Sequence, residues 1–321
     1  MKKVDLSIVI INYNTFELTC KCIDTILASK TTYSYEIVLV DNASKDVPPI
    51  KFKEKYPDLV LIESAVNEGF GRANNLGMEA AQGDYFLLLN SDTEVKEDTL
   101  QRSLTILQEE KADLYSCAQI LADGTPFFCR YNTFQGQPLR KIWYSLPIFH
   151  LARFQIDNPV VKDISTVKTV SGAFMLLKRA VYTTTKGFDP DFFLYSEETE
   201  WCYNRIRKQY KMIYDPHNVF IHKQGASGNH HMSLQEFVSV GLSYYKQGYS
   251  RYLIYLLLQY GLAAPANMLF ALISKKTYKK AYKDQVRLLA KALPYLFYRI
   301  PRFSNKFGAR KEFLMIDELK K

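Results

Sequence analysis

The sequence predicts an α/β fold: a mostly parallel sheet flanked by helices, followed by a C-terminal helical region of different character. Three observations predict it. Short apolar runs alternate with amphipathic stretches through the first third of the chain, the order expected of βα units around a parallel sheet. One run, Tyr85-Phe-Leu-Leu-Leu-Asn-Ser-Asp-Thr-Glu94, follows a Gly83-Asp84 turn and stops abruptly at Asn90-Ser91-Asp92; it is too short for a helix and reads as a buried central strand. The charge is also lopsided. The 321 residues carry a net +9, but from Gly241 onward there are sixteen Lys and Arg against four Asp and Glu, a net +12 that leaves −3 for the first 240 residues.

The elements follow in order. Ser7–Ile11 reads as a strand, and Phe16–Ser29 as a helix with Leu18, Cys22, Ile26 and Leu27 on one face. Tyr35–Val40 and Leu59–Glu63 read as strands, Gly71–Ala81 as a helix, Asp84–Leu89 as a strand, Glu97–Glu110 as a helix and Leu114–Ile120 as a strand. From Asp123 to Ile164 periodicity is lost amid Pro126, Pro138, Pro147, Pro159 and many aromatics, so this stretch is expected to be an insertion of loops and short helices. Regular structure is expected again as a strand over Lys168–Leu177, a short helix over Ala180–Thr185 and a helix over Glu198–Lys208. Two strands, Lys211–Tyr214 and Val219–His222, complete the α/β part.

Beyond Ser233 the pattern is helical. Tyr252–Ser274 contains no charged residue, a length that just reaches a bilayer span, although Gln259, Gly261, Pro265 and Asn267 weaken that reading. Lys275, Lys276, Lys279, Lys280 and Lys283 follow at once. Basic tails attract nucleic acid or anionic lipid; the Tyr, Leu and Phe companions favour lipid, and no nucleic-acid partner is expected. Cys20, Cys22, Cys117, Cys129 and Cys202 are odd in number and fit neither a zinc site nor a disulfide framework, so reduced core thiols are expected. The chain begins on a strand with no charged-then-apolar leader, and no secretory signal is expected.

A strand ending in a lone carboxylate puts that carboxylate at the C-terminal edge of the sheet, where open α/β folds bind ligands. Asp92 there could hold a divalent cation bridging two phosphates, or merely cap the following helix. Asp41, ending Val40-Asp-Asn-Ala-Ser44, could accept a hydrogen bond from a base or ribose, or form an Asx turn. Asn67-Glu-Gly-Phe-Gly-Arg-Ala-Asn-Asn-Leu-Gly77 opens a helix with two glycines, allowing close approach of a ligand. It lacks the third glycine of a dinucleotide fingerprint and does not follow the first strand; Arg72 and Asn74 could face a diphosphate. Glu197, Glu198 and Glu200 crowd one helix start. Either they answer the helix dipole or one is a general base whose pKa its neighbours raise. His222 ends a strand and is either a core histidine or a metal ligand; Gln224-Gly-Ala-Ser227 follows it. His230 and His231 invite no role.

Taken in order, the motifs Ile8-Val-Ile-Ile-Asn-Tyr-Asn14, Val40-Asp-Asn-Ala-Ser44, Asn67-Glu-Gly-Phe-Gly71 with Ala73-Asn-Asn75, Leu89-Asn-Ser-Asp-Thr93, Ser171-Gly-Ala-Phe174, Gly187-Phe-Asp189, Phe193-Leu-Tyr-Ser-Glu-Glu198 and His222 resemble family 2 inverting glycosyltransferases of GT-A fold. The nearest branch is the rhamnosyltransferase-like one of bacterial polysaccharide assembly. The resemblance spans about residues 4–228. It implies a catalytic domain over 1–232, with 123–164 a variable acceptor-side insertion, and a basic amphipathic helical region over 233–321.

The roles it implies are these. Asp41 contacts the nucleotide base, bordered by Asn12 and Tyr13; Asn67, Arg72, Asn74 and Asn90 help bind the donor. Asp92 is the metal-binding acid of a DxD motif whose first acid is here Asn90, and His222 joins it, with Mg2+ or Mn2+ as the cation. Glu198 is the base, where relatives usually have Asp; Glu197, Glu200, Ser171 and Gly172 serve acceptor binding or support. The Gln-x-x-Arg-Trp motif of processive synthases is absent, which favours one sugar per encounter, with dTDP-rhamnose favoured as donor by resemblance alone. Expected partners are a nucleotide-diphosphate sugar, a glycan or lipid-linked acceptor and an anionic membrane surface, with a cytoplasmic location on the inner face of the plasma membrane. The rivals are a nucleotidyltransferase, which would carry a basic Gly-rich signature that Asn12-Tyr-Asn-Thr15 lacks, and a degenerate glycan-binding scaffold.

Overall fold

The structure is a computed structural model that describes residues 3–127, 161–223, 233–303, 305–308 and 312–319. Most of the 123–164 insertion, Cys129, Gln224–Ser227, His230 and His231 lie outside the described residues. The α/β part runs β1 (Leu6–Asn12), α1 (Phe16–Leu27), β2 (Tyr35–Asp41), α2 (Ile50–Lys55), β3 (Val60–Glu63), α3 (Gly69–Ala80), β4 (Tyr85–Asn90), β5 (Thr93–Val95), α4 (Thr99–Glu109), β6 (Leu114–Ile120), β7 (Pro126–Phe127), β8 (Ser165–Thr166), β9 (Phe174–Lys178), α5 (Arg179–Thr185), α6 (Glu197–Glu200) and β10 (Met212–His222). The sheet order is β3-β2-β1-β4-β9-β6-β10-β5, with β7 on β6 and β8 on β10.

The first four strands of that order are parallel and in register, Asn12 beside Asp41 and Ile11 beside Asn90. Successive side chains of a strand face opposite ways. Accordingly Ile8, Ile10, Ile37, Leu39, Leu87 and Leu89 join one core, and Val9, Val38, Phe86 and Leu88 the other. Burial on both faces explains why these strands read as apolar runs without alternation. Gly77 of α3 packs so closely on β1 that a Cβ would overlap the Val9 side chain, which is how α3 settles flat on the sheet.

Three expectations are corrected. The strand expected over Lys168–Leu177 is β9, Phe174–Lys178, and it runs antiparallel between β4 and β6; the residues before it turn toward the sheet edge instead. The two strands expected over 211–222 are one strand, β10, with a register shift between Asp215 and Val219. The helix over Glu198–Lys208 changes type: one α turn, then π (Trp201–Arg205), then 3-10 (Ile206–Lys208).

From Leu234 the chain is helical: α7 (Leu234–Lys246), α8 (Tyr249–Leu256) running through a π segment (Leu257–Ala263) into α9 (Ala264–Ile273), and α10 (Lys276–Pro294). These helices share a third core that includes Phe237, Leu242, Tyr252, Tyr255, Leu296 and Ile300, and it takes in Phe192 from the α/β part. α7 thus packs on the segment that leads to α6. Its Ser239 donates to the Leu194 carbonyl at 2.7 Å.

Candidate functional site

The C-terminal ends of β1, β2 and β4 meet at one edge of the sheet. Asn12 Nδ2 donates to Asp41 Oδ2 at 2.7 Å and to Ser44 Oγ at 2.9 Å. Its Oδ1 accepts from Thr19 and Thr15 at 2.9 and 3.0 Å. Asp41 Oδ1 accepts from the Ser44 amide at 3.0 Å. Both side chains are buried. Asn12 therefore acts on Asp41 by holding it, since a buried carboxylate needs donors that fix its orientation. Tyr13, beside them, is 44% exposed and rims the pair. Asn14 and Ala43 adopt left-handed backbone, φ 53° and 63°. Such conformations cost non-glycine residues energy and cluster at ligand-binding loops.

The α3 start is committed differently from expectation. Asn67 Oδ1 accepts from Asn42 Nδ2 at 3.0 Å and from the Gly69 amide at 2.9 Å, an Asx turn leading into the helix. Asn74 is 2% exposed and donates to the Phe70 carbonyl at 3.0 Å; burial against its own helix keeps it from a diphosphate. Arg72 donates to the Pro190 carbonyl at 2.7 Å, lies 3.7 Å from Glu68 and covers the Phe313 ring. Its guanidinium is held by the loop after α5 rather than standing open to a ligand.

At the end of β4, His222 Nε2 lies 2.9 Å from Asp92 Oδ1 and 3.5 Å from Asn90 Nδ2. Pairing of β10 with β5 sets this contact: His222 stands opposite Thr93, and the Lys223 amide donates to the Asp92 carbonyl at 3.0 Å. His222 Nδ1 is buried without a hydrogen-bond partner among the described residues. One carboxylate and one imidazole suit Mn2+, and suit Mg2+ when further oxygens complete the shell. Among the described residues no group of three or more His, Cys, Asp or Glu side chains gathers as a cage. The pair would supply two ligands to such a cation and leave the rest of its shell to other groups. Sequence reasoning missed the neighbouring Lys21 and Lys223, each 2.8 Å from Glu94 Oε1. Burial would raise Glu94, but its hydrogen bonds to both lysines hold it below the ordinary carboxylate range.

The Ser171–Ala173 turn joins this edge to the acid cluster. The Ala173 carbonyl accepts from the Asn90 amide at 3.2 Å, and Ser171 Oγ accepts from the Ala173 amide at 3.2 Å. A Cβ on Gly172 would stand 3.1 Å from the Phe70 ring and 3.9 Å from Glu198 Cβ. Glycine here leaves the Phe70 ring its place against the turn.

Tyr195 and Ser196, just before α6, are both left-handed, φ 70° and 69°, and this turn starts the helix on Glu197 and Glu198. Glu197 is buried, with Oε2 lacking a partner among the described residues. Burial, helped by the Glu198 charge, lifts it well above the carboxylate range. Glu198 is only partly buried. Glu200 is pinned by Arg205 at 2.6 Å and Asn204 at 3.2 Å, and Arg205 also donates to the Thr185 and Gly187 carbonyls. These contacts tie Glu200 to the end of α5.

The loop feeding this turn is clamped. Lys246, buried at the end of α7, meets Asp189 at 3.0 Å and contacts Asp191, and it donates to the Lys306 carbonyl at 2.6 Å. On the other side, the Phe70 amide donates to the Phe193 carbonyl at 2.9 Å, and Gly69, φ 73°, leaves room that a Cβ would take from that carbonyl. Lys246 escaped the sequence reading. Its one signal is a cation closing an otherwise uncharged stretch, Phe237–Tyr245.

The profile of glycosyl transferase family 2 matches residues 7–185. A low-salt glycan biosynthesis hexosyltransferase of Haloferax volcanii is 24% identical over 64% of this chain and 62% of its own length. The rhamnosyltransferase WbbL of Escherichia coli is 26% identical over 59% of this chain and 72% of its own. The chain spans 18%, 62% and 45% of the first curated relatives it matches. Among solved structures, the mannosyltransferase PcManGT from Pyrobaculum calidifontis, in complex with GDP-Man and Mn2+, superposes with a TM-score of 0.59 at 18% identity over 92% of this chain and 88% of that one. That likeness gives the fold, a GT-A arrangement. With the family profile matching more than half of its residues, the chain belongs to glycosyl transferase family 2.

Proposed function

We propose that the protein is an inverting glycosyltransferase that moves one sugar from a nucleotide-diphosphate sugar to a hydroxyl of a glycan or lipid-linked acceptor in cell-surface polysaccharide synthesis. The observation that carries this reading is the Ser171–Ala173 turn. It is bonded to Asn90 at the Asp92–His222 edge, and its Gly172 faces Glu198, whose Cβ would stand 3.9 Å from a Cβ built there; the turn thus lies between the proposed leaving-group site and the proposed base.

In this reading Asp41, oriented by Asn12 and Ser44, accepts a hydrogen bond from the base, and Tyr13 borders it. Asp92 and His222 would hold Mg2+ or Mn2+, which when bound offsets the charge of the departing diphosphate. Glu198 takes the proton of the acceptor hydroxyl as its oxygen attacks the anomeric carbon. The bond to the diphosphate breaks on the opposite face, with its electron pair leaving on phosphate oxygen. A single displacement needs one base and no covalent intermediate, so the paired carboxylates of glycoside hydrolases are not required. Burial and the Glu198 charge hold Glu197 well above the ordinary carboxylate range, which favours its neutral form beside the base. dTDP-rhamnose is the proposed donor, and the cytoplasmic face of an anionic membrane the proposed location. Glu198→Gln tests the chemistry: transfer should vanish while donor binding, read by titration calorimetry, persists. Near-normal turnover in that variant would remove Glu198 from the mechanism, and hydrolysis of no nucleotide sugar in a screen with Mn2+ would favour a binding scaffold.

A further inference from the structure

Tyr249–Ile273 is one unbroken helical rod, α8 through the π segment into α9. It is 25 residues long, and its most apolar 18-residue stretch has a mean hydropathy of 1.6, long and apolar enough to cross a membrane by length and composition. Its two faces differ. Tyr252, Tyr255, Gln259, Ala263, Asn267 and Ala271 recur every three or four residues and are buried, the spacing of one helix stripe. This stripe is fastened to the protein: Tyr252 Oη donates to the Leu296 carbonyl, and Tyr260 Oη to the Leu289 carbonyl at 2.9 Å. The opposite face shows Leu257, Leu262, Met268, Leu269, Leu272 and Ile273, with Leu272 75% and Leu257 67% exposed. Isolated exposed apolar residues are ordinary; a continuous stripe of them marks an interaction surface.

The partner helix supplies the second observation. On α10, Lys280, Lys283, Arg287 and Lys291 are exposed and spaced three or four apart, so they form one cationic stripe, within which Arg287 meets Asp284 at 3.2 Å. Lys275 adds a further exposed cation between the helices, and Phe297, just beyond α10, stacks edge-on against Tyr260 at 5.2 Å. The two helices pack on each other, with the Phe270 and Tyr282 rings 5.7 Å apart, and an exposed apolar stripe on one with an exposed cationic stripe on the other fits a surface that is oily beneath and anionic on top.

We infer that this rod lies flat in the interface of an anionic bilayer leaflet, with the Leu257–Ile273 face among the acyl chains and the α10 cations on the lipid phosphates. It does not span. The buried stripe is fastened to α10 and the residues just after it, so a crossing would drag the Lys280–Lys291 charges into hydrocarbon, where they are costly. The inference rests on the proposed membrane location but not on the transfer chemistry.

Vesicle flotation of the full chain tests it. Wild type should float with vesicles of phosphatidylcholine containing phosphatidylglycerol, and bind at least tenfold more weakly to phosphatidylcholine alone or in half-molar salt, where charge is screened. A Leu257→Glu/Leu272→Glu variant should lose at least tenfold of the binding, and Lys280→Glu/Lys283→Glu should lose the preference for anionic lipid. Circular dichroism should be unchanged in both, since all four side chains point outward. Bound protein should be released by alkaline carbonate. Wild type that stays unbound, or that elutes as a dimer dissociated by the Leu257→Glu/Leu272→Glu change, would assign the face to something other than lipid; resistance to carbonate would overturn the flat orientation. Sugar transfer to a soluble acceptor, measured on the same samples, reports on the enzymatic reading separately, because flotation needs no turnover.

Discussion

Four acids between residues 189 and 200 are buried, and they are treated in two ways. Asp189 and Asp191 meet Lys246, and Glu200 meets Arg205. Glu197 meets no cation among the described residues and leaves one oxygen unpartnered. Burial without a cation is costly to a carboxylate and holds Glu197 well above the ordinary carboxylate range, whereas a paired carboxylate ties chain segments together; burial raises Glu200 too, but Arg205 opposes it. The paired acids therefore read as architecture. They bind the loop before α6 to α7 and α5. The unpaired acid sits beside Glu198, where proton transfer is proposed. Residue type alone does not separate these two roles; the neighbouring cation does.

The comparison can be broken from either side. The largest effect is expected at the chemical end: Glu198→Gln should lower the transfer rate by about 10²–10⁴, the usual contribution of a general base, with donor affinity held. Next, Lys246→Met leaves two buried carboxylates without their cation and should cost about 3–5 kcal/mol in urea unfolding. A change below about 1 kcal/mol would mean that water or relaxation replaces the clamp, and the architectural reading would fail. Any truncation upstream of α7 removes Lys246 as well, so it probes folding along with membrane binding. At the β4 edge, His222→Ala should weaken donor binding in Mn2+ by at least about tenfold, worth 1.4 kcal/mol, and leave the metal-free affinity unchanged. Equal losses with and without Mn2+ would place His222 outside any cation site.

The smallest effect concerns Glu197. Its folded pKa is raised above the ordinary 4.5, so above that pH the unfolded chain releases a proton that the folded chain keeps. Folding stability should therefore decline as pH rises through and beyond the ordinary carboxylate value, until Glu197 ionises in the folded state. Glu197→Gln should flatten that decline and unfold no more easily than wild type at pH 7. A steeper decline in the variant would locate the effect elsewhere.

How much was legible varied by residue. The β4 run and the order of motifs to His222 could be read because a strand buried on both faces must be apolar along its length, and because its end is where polar residues return. The contact of His222 with Asp92 was expected from resemblance, and the structure has them 2.9 Å apart. Arg72 and Asn74 looked available because a helix start is polar in any context; Pro190 and Phe70 claim them through contacts invisible along the chain. β9 was foreseen as a strand near its place, but not as an antiparallel insert between β4 and β6, since its partners lie many tens of residues away.

By itself, the sequence determined the α/β alternation, the strand-end carboxylates, the crowding of acids before α6 and the basic apolar tail. Periodicity, turn chemistry and composition are local, and local patterns survive in one dimension. Only the tertiary structure decided which acids have a cation, that the Ser171–Ala173 turn is bonded to Asn90, and that the long apolar helix has one face stitched into the protein and the other left open. Those outcomes depend on the pairing of residues such as Lys246 and Asp189, 57 positions apart. The free energy of a buried charge is set by what stands within a few ångströms of it, whatever its neighbours along the chain.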